Sequence, residues 1–182
     1  MYRLLFLILF TASYSMADIL PGWEGVNPNS DVTVDHTLWQ TFLDDYLLID
    51  DFGQTYFAYS RVTGSQRKAL NDYIRTLESI DPLTLNTLEQ KAYWFNLYNA
   101  TTVKVVLDNY PVTSIRKIGG AFGGLIPTGP WKINLVTINN QPLSLDNIEH
   151  DIVRPKFNDY RVHFALNCAA MGCPNLAQTA YT

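Results

Sequence analysis

The chain has 182 residues with 13 basic and 17 acidic side chains, which give a formal net charge of −4 at pH 7. A chain of this length suits one domain with its own hydrophobic core. The acidic balance provides no basic surface for nucleic acid or anionic lipid, so neither is predicted as a partner.

Residues 1–17 have the pattern of a secretory signal peptide. A basic Arg3 precedes the apolar run 4–10, and residues 15–17 form a small-x-small cleavage pattern. The apolar run is too short to span a bilayer, and no second run follows it. We therefore predict that the mature chain is exported, to the periplasm or the medium, and has no transmembrane segment. Cleavage removes one basic residue and changes the net charge from −4 to −5.

The mature chain is predicted to begin with an extended lead-in over residues 18–35, followed by the folded domain over 36–182. Apolar side chains at helical spacing predict helices over about 36–50 and 65–80. His36 lies near the start of the first helix, where we expect it at the surface.

The most hydrophobic stretch, residues 87–109, is predicted to be the central buried helix. Apolar side chains cover nearly its whole circumference, so most of its sides should contact the rest of the domain. Asn96 and Asn99 lie three residues apart on one face. A buried amide without partners costs about 1–3 kcal/mol, so each should bond to loop backbone or line a functional site.

The remaining elements are shorter. A strand is predicted over 133–138, and Ser144 is expected to cap a helix that ends before Pro155. The glycine-rich segment 119–130 lacks phosphate-binding and dinucleotide-binding patterns, so no cofactor is predicted. Residues 160–167 alternate between apolar and polar side chains, which predicts a half-buried strand. Together these elements predict a single α+β domain, mostly helical, with a small sheet.

Both cysteines follow the last predicted strand. Cys168 stands where the alternation stops, and chemically active residues are often displayed where a strand meets a loop. Cys173 lies five residues later. In an oxidising compartment the two can form a disulfide, although this spacing neither requires nor excludes it.

Cys168 is also the candidate nucleophile of a thiol-dependent hydrolase, which needs a base beside the thiolate and a group that orients the base. His163 is five residues away, about 16 Å in an extended chain, so it can act only if the loop folds back. Glu149 and His150 lie on the preceding helix and escape this constraint. Adjacent helix positions point about 100° apart, however, so the two cannot both face one point well.

The same residues suit a zinc site. Cys168, Cys173 and His163, with Glu149 or His150 as the fourth ligand, would give tetrahedral coordination. The C-x4-C spacing is one of the looser zinc patterns. No C-x-x-C redox motif and no G-x-S-x-G serine motif is present.

Several longer segments resemble a known family. The chain contains AYWFNLYNATTVKVVLDNYPVTSIRKIG, then PW, then LSLDNIEHDIVRP, then RVHFALNCAAMGCPNLAQTAY. In this order and spacing they resemble the DUF547 family, a domain of unknown function, from about Trp39 to the last residue. Family members are often exported bacterial proteins, and the domain also occurs in plant proteins beside a leucine-zipper segment. The resemblance thus supports export but implies no reaction.

The resemblance also identifies residues. The recurring polar residues of the family fall here on Asn99, Glu149, His150, His163, Cys168 and Cys173. Family domains usually continue with further helices, so the resemblance implies a member that is short at its C-terminus.

We therefore expect an exported domain with a cysteine-centred site, a thiol-dependent hydrolase or acyl transferase that acts on an amide or ester. Cys168 would be the nucleophile, His150 or His163 the base, Glu149 the orienting or acid group, and Asn99 or Asn167 a donor to the developing oxyanion. Two alternatives stay open: a non-catalytic binding module in which the cysteines form a disulfide, and a zinc site. The substrate or ligand is not identified by the sequence.

Overall fold

A computed structural model of the chain describes residues 18–119, 128–170 and 172–182. The predicted signal peptide, 1–17, and most of the glycine-rich segment lie outside these ranges. The described residues form a mostly helical α+β domain with two separate antiparallel two-stranded sheets, which confirms the predicted fold class. None of the helices in these ranges is long and apolar enough to cross a membrane.

The first half of the domain consists of three helices and a hairpin. In chain order these are α1 (Thr37–Tyr46), β1 (Leu47–Ile49), β2 (Thr55–Phe57), α2 (Gly64–Glu78) and α3 (Thr87–Asp108), with 3-10 turns at Tyr59–Arg61, Pro82–Thr84 and Ile115–Lys117. The first helix ends earlier than predicted, because its last residues instead pair with β2. We call β1, β2 and their connection the hairpin.

Helix α3 is the centre of the core, as predicted. Asn86 caps its first turn by accepting hydrogen bonds from two backbone amides, those of Leu88 and Glu89. Every residue of α3 from Ala92 to Val103 is buried, and α1 and α2 pack beside it to cover its apolar sides.

The second half begins with the other antiparallel strand pair, β3 (Asn134–Ile138) and β4 (Gln141–Ser144). Its turn places Asn139 and Asn140 at φ of 51° and 61°, a left-handed pair that matches the twist of a tight antiparallel turn. Strand β4 was not predicted, because four residues between a turn and a helix cap show too little periodicity.

A helix follows β4, and it differs from the predicted one. Ser144 caps it as predicted: its hydroxyl accepts from the amide of Asn147, and the Asn147 side chain accepts from the amide of Ser144. The helix is π-helical over Asn147–Val153 and continues as α4 (Arg154–Phe157).

The prediction that this helix ends before Pro155 is wrong. A proline inside a helix leaves the carbonyl four residues earlier without its N–H donor. Here that carbonyl, of Asp151, accepts a hydrogen bond from the amide of Leu20 at 2.7 Å. The N-terminal segment therefore satisfies the group that Pro155 leaves open.

The strand predicted over 160–167 is also wrong, because this segment contains the short helix α5 (Val162–Ala165). Val162, Ala165 and Leu166 are buried, whereas Tyr160 and Phe164 are 83% and 64% exposed. Burial thus follows a spacing of three and four residues, and the apparent alternation is accidental.

Residues 18–35 form no helix or strand, yet they contact the domain closely. Trp23 is buried against Trp94, and its backbone carbonyl accepts from Lys156. His36, expected at the surface, is buried, and its Nδ1 lies 2.7 Å from the hydroxyl of Tyr73.

Candidate functional site

Cys168 and Cys173 are joined by a disulfide, with their Cα atoms 5.9 Å apart. Both residues are half-buried. The amide of Cys173 donates to the carbonyl of Ala170 at 2.9 Å, and Ala169 has a φ of 55°. We call residues 168–170 and 172–173 the disulfide turn. In this state Cys168 carries no thiolate.

Two asparagines from the candidate set hold the disulfide turn in place. The buried Asn99 donates to the carbonyl of Ala165 and accepts from the amide of Asn167, both at 2.9 Å. Asn167 in turn accepts from the amide of Ala169 at 2.9 Å and donates to the carbonyl of Pro174 at 2.6 Å. The amide donors proposed for an oxyanion are therefore bonded to backbone carbonyls.

Glu149 is the centre of a second polar cluster. Its Oε1 accepts from Arg154 Nε at 3.2 Å and Nη2 at 2.6 Å, and its Oε2 accepts from the hydroxyl of Tyr98 at 3.0 Å. Arg154 Nη2 also lies 3.2 Å from Nδ1 of His163. The Glu149 side chain is only 14% exposed, so its charge is compensated by the guanidinium and the hydroxyl. Burial and the neighbouring Glu149 carboxylate raise the pKa of Tyr98, which keeps its hydroxyl a donor.

The structure does not connect the two clusters in the way a thiol hydrolase requires. In the described ranges, no hydrogen bond joins a histidine nitrogen to either sulfur, and His163 bonds to Arg154 instead. His150 is exposed. A zinc site from the predicted ligands is not formed either: each sulfur is bonded to the other, and no group of three or more His, Cys, Asp or Glu side chains converges within those ranges.

The disulfide turn forms part of the walls of two cavities. The larger, of about 800 Å³, is lined by Cys168 and Ala170 together with Arg116, Trp131 and Asp146 among others. The smaller, of about 360 Å³, is lined by Cys173 and Ala170 on one side and by the hairpin on the other. Both volumes fall in the range of ligand sites in proteins.

The sequence did not show the partners of Glu149, nor that Tyr98 and the hairpin residues belong to these sites. In an α-helix Glu149 and Arg154 would point about 140° apart, and only the π-helical turns bring them onto one side. Tyr98 lies within the apolar pattern of α3, which shows its burial but not the partner of its hydroxyl. The hairpin residues of the smaller cavity carry no motif.

The chain matches the model of a known protein family. A family model described as "Protein of unknown function, DUF547" matches residues 82–182, which is more than half of the chain. The match begins later than Trp39, where the sequence resemblance was placed. No curated protein matches the chain, and no solved structure does.

Proposed function

The chain belongs to the DUF547 family, whose function is unknown, and we propose that it is an exported ligand-binding module whose binding surface is held by the Cys168–Cys173 disulfide. The observation that carries this proposal is the position of the disulfide turn, which lines both cavities. The proposal of export rests on the signal-peptide pattern of residues 1–17 and on the family resemblance.

The hydrogen bonding of the candidate residues supports a structural role for them. Asn99 and Asn167 fix the backbone on either side of the disulfide turn. Glu149 and Arg154 tie the π-helical segment to α3 through Tyr98, and to α5 through His163. Buried polar groups that satisfy one another in this way fix a single arrangement of the backbone, which a binding surface requires.

The disulfide supports the same conclusion. Disulfides persist in oxidising compartments such as the periplasm and the extracellular space, which fits the proposed export. A bridge across so short a loop removes conformational entropy from the unfolded chain and stabilises the fold by about 2 kcal/mol.

Alkylation followed by intact mass measurement tests this proposal. The mature chain, purified without reductant, is denatured and treated with iodoacetamide. We expect no alkyl group until a reductant is added, and two afterwards. We also expect the free energy of unfolding of the double variant Cys168→Ser/Cys173→Ser to be about 2 kcal/mol lower than that of the parent. Two alkyl groups added without reductant would show free thiols and overturn the proposal.

A second candidate function is the thiol-dependent hydrolase or acyl transferase, in the reduced protein only. The observation in its favour is that Cys168 lines the larger cavity, where a substrate carbonyl could reach it. The thiolate would attack the carbonyl carbon, the bond to the leaving oxygen or nitrogen would break as that atom takes a proton, and water would hydrolyse the thioester. None of Glu149, His150 and His163 lines that cavity, so the position of the base counts against this function.

The two functions differ in their response to reductant. p-Nitrophenyl acetate is a suitable probe, because acylation releases a coloured leaving group. A hydrolase should turn it over only after reduction, and Cys168→Ser should abolish turnover while Cys173→Ser keeps it. A binding module should show no enzymatic turnover in either redox state.

A further inference from the structure

We propose that the smaller cavity, between the hairpin and the disulfide turn, binds a neutral polyhydroxylated ligand of the saccharide class. This inference rests on the proposed binding function and names its ligand. Three properties of the cavity carry it: the described lining residues include no charged side chain, two polar side chains bond to no described group, and aromatic rings belong to the lining.

The lining residues carry no charge. Among the described residues that form the cavity walls there is no Asp, Glu, Lys, Arg or His. A charged ligand would lose hydration there without gaining a counter-ion, which is strongly unfavourable. The ligand should therefore be neutral.

Two side chains on the hairpin side offer polar groups to a ligand. The carboxamide of Gln54 and the hydroxyl of Tyr59 belong to the lining, and neither bonds to another group in the described part of the chain. The hydroxyl of Thr55 is fully buried, so a ligand cannot contact it. Burial raises the pKa of Tyr59 to about 12, so its hydroxyl remains a donor at physiological pH. Each of these two groups can both donate and accept, as the hydroxyls of a saccharide also can.

Aromatic rings provide the apolar part of the cavity. Tyr56 is 55% exposed, and the rings of Phe57 and Tyr59 pack with centroids 4.8 Å apart. The face of an aromatic ring is negative, so it attracts the slightly positive C–H groups on the face of a sugar ring. A saccharide presents C–H groups on its faces and hydroxyls at its edges, and so matches a cavity lined by aromatic rings and by the polar groups of Gln54 and Tyr59.

The walls are already held in position. Asn175 accepts from the amide of Thr55 at 3.2 Å and donates to the carbonyl of Gly53 at 2.8 Å, which ties the hairpin to the segment after the disulfide turn. Asn167 fixes the opposite end of that segment through the carbonyl of Pro174. A pre-formed cavity avoids much of the entropy loss that ordering would require on binding.

Saturation-transfer NMR on the mature, oxidised protein tests the inference. The probes are cellobiose, maltose and N,N′-diacetylchitobiose, with galacturonate and choline as charged comparisons. We expect saturation transfer to at least one neutral disaccharide and to neither charged compound. Titration of the bound disaccharide should then give a Kd about tenfold higher for Tyr56→Ala, and a higher Kd for Gln54→Ala. The matched control is Phe52→Ala at the hairpin tip, 91% exposed and outside the cavity lining, which should leave the Kd unchanged.

Each other outcome overturns the inference in a distinct way. Saturation transfer to none of the disaccharides, with the fold and the disulfide intact, would overturn the saccharide class and leave the binding module standing. Saturation transfer to galacturonate or choline bound in this cavity would overturn the inference that the ligand is neutral. If Tyr56→Ala and Gln54→Ala leave the Kd of the bound disaccharide unchanged, the disaccharide does not bind in the smaller cavity. Failure of the proposed function is recognised separately, in the alkylation experiment, because the thiols would then react without reductant.

Discussion

Asn99 shows how one buried side chain can fix the backbone beside the disulfide turn. It lies on the central helix, is almost fully buried, and bonds with one end of its amide to the carbonyl of Ala165 and with the other to the amide of Asn167. These two backbone groups frame the entry to the disulfide turn. The same helix contains Thr101, whose hydroxyl is buried without a partner in the described ranges.

We predict that substitution lowers stability at Asn99 but not at Thr101. Asn99→Ala removes both hydrogen bonds and leaves a buried carbonyl and a partly buried amide unpaired, so it should lower the free energy of unfolding by about 2–4 kcal/mol. Thr101→Val, the control, removes a buried hydroxyl that bonds to nothing described, so stability should stay unchanged or rise by up to about 1 kcal/mol. Urea denaturation measures both. Equal losses for the two variants would contradict the assigned role of Asn99.

His36 is a buried histidine with a pH-dependent consequence. Burial lowers its pKa, while the carboxylates of Glu89 and Asp35 partly oppose that shift. Its Nδ1 lies 2.7 Å from the Tyr73 hydroxyl, and its Nε2 is buried without a partner in the described structure. The folded protein therefore favours the neutral ring.

We predict that stability falls as the pH drops below the ordinary histidine pKa of about 6.5. Above that pH the ring is neutral in both states. Below it the unfolded chain binds a proton before the folded one does, so unfolding becomes easier until the lowered folded pKa is reached. Between pH 7.5 and 5.5 the loss from His36 should be up to about 1 kcal/mol.

Urea denaturation at the two pH values, on the parent and on two variants, isolates this effect. His36→Gln should show a smaller decrease in stability than the parent. His150→Gln, which changes an exposed histidine, should keep the decrease of the parent. A pH dependence that is unchanged in His36→Gln would place its origin elsewhere.

At the scale of elements, the long helices follow local pattern and the short ones follow tertiary context. Helix α3 was predicted within one residue, because twenty-two residues repeat the helical signal many times. Helix α5 has only four residues, and a chance alternation of apolar and polar side chains outweighed its spacing. The helix through Pro155 continues because Leu20, far away in sequence, bonds to the carbonyl of Asp151.

At the scale of the whole molecule, the hydrophobic core includes residues that precede the region matched by the family model. The matched region begins at residue 82, whereas Trp39, Leu43 and Leu77, which precede it, are fully buried members of the same core. The Tyr93 hydroxyl donates to the carbonyl of Leu77 at 2.9 Å. The two parts of the chain therefore form one folding unit.

We predict that residues 82–182 do not fold on their own. Without α1 and α2 the apolar sides of α3 would be exposed over a large area, which removes most of the hydrophobic stabilisation. The fragment should show no cooperative thermal transition by circular dichroism, whereas residues 18–182 should unfold in one step. Cooperative unfolding of the fragment would show that the matched region is an independent domain.

The sequence by itself determined the fold class, the three long helices and the central position of α3. These follow from periodicity and composition, which are local properties of the chain. The candidate polar residues were named from their residue types and from the family resemblance. The tertiary structure alone decided the partners of those polar residues. Asn99 bonds to the backbone beside the disulfide turn, Glu149 to Arg154 and Tyr98, and Cys168 to Cys173. Hydrogen bonds and disulfides depend on distances of a few ångström between segments that are remote in sequence, and packing sets those distances.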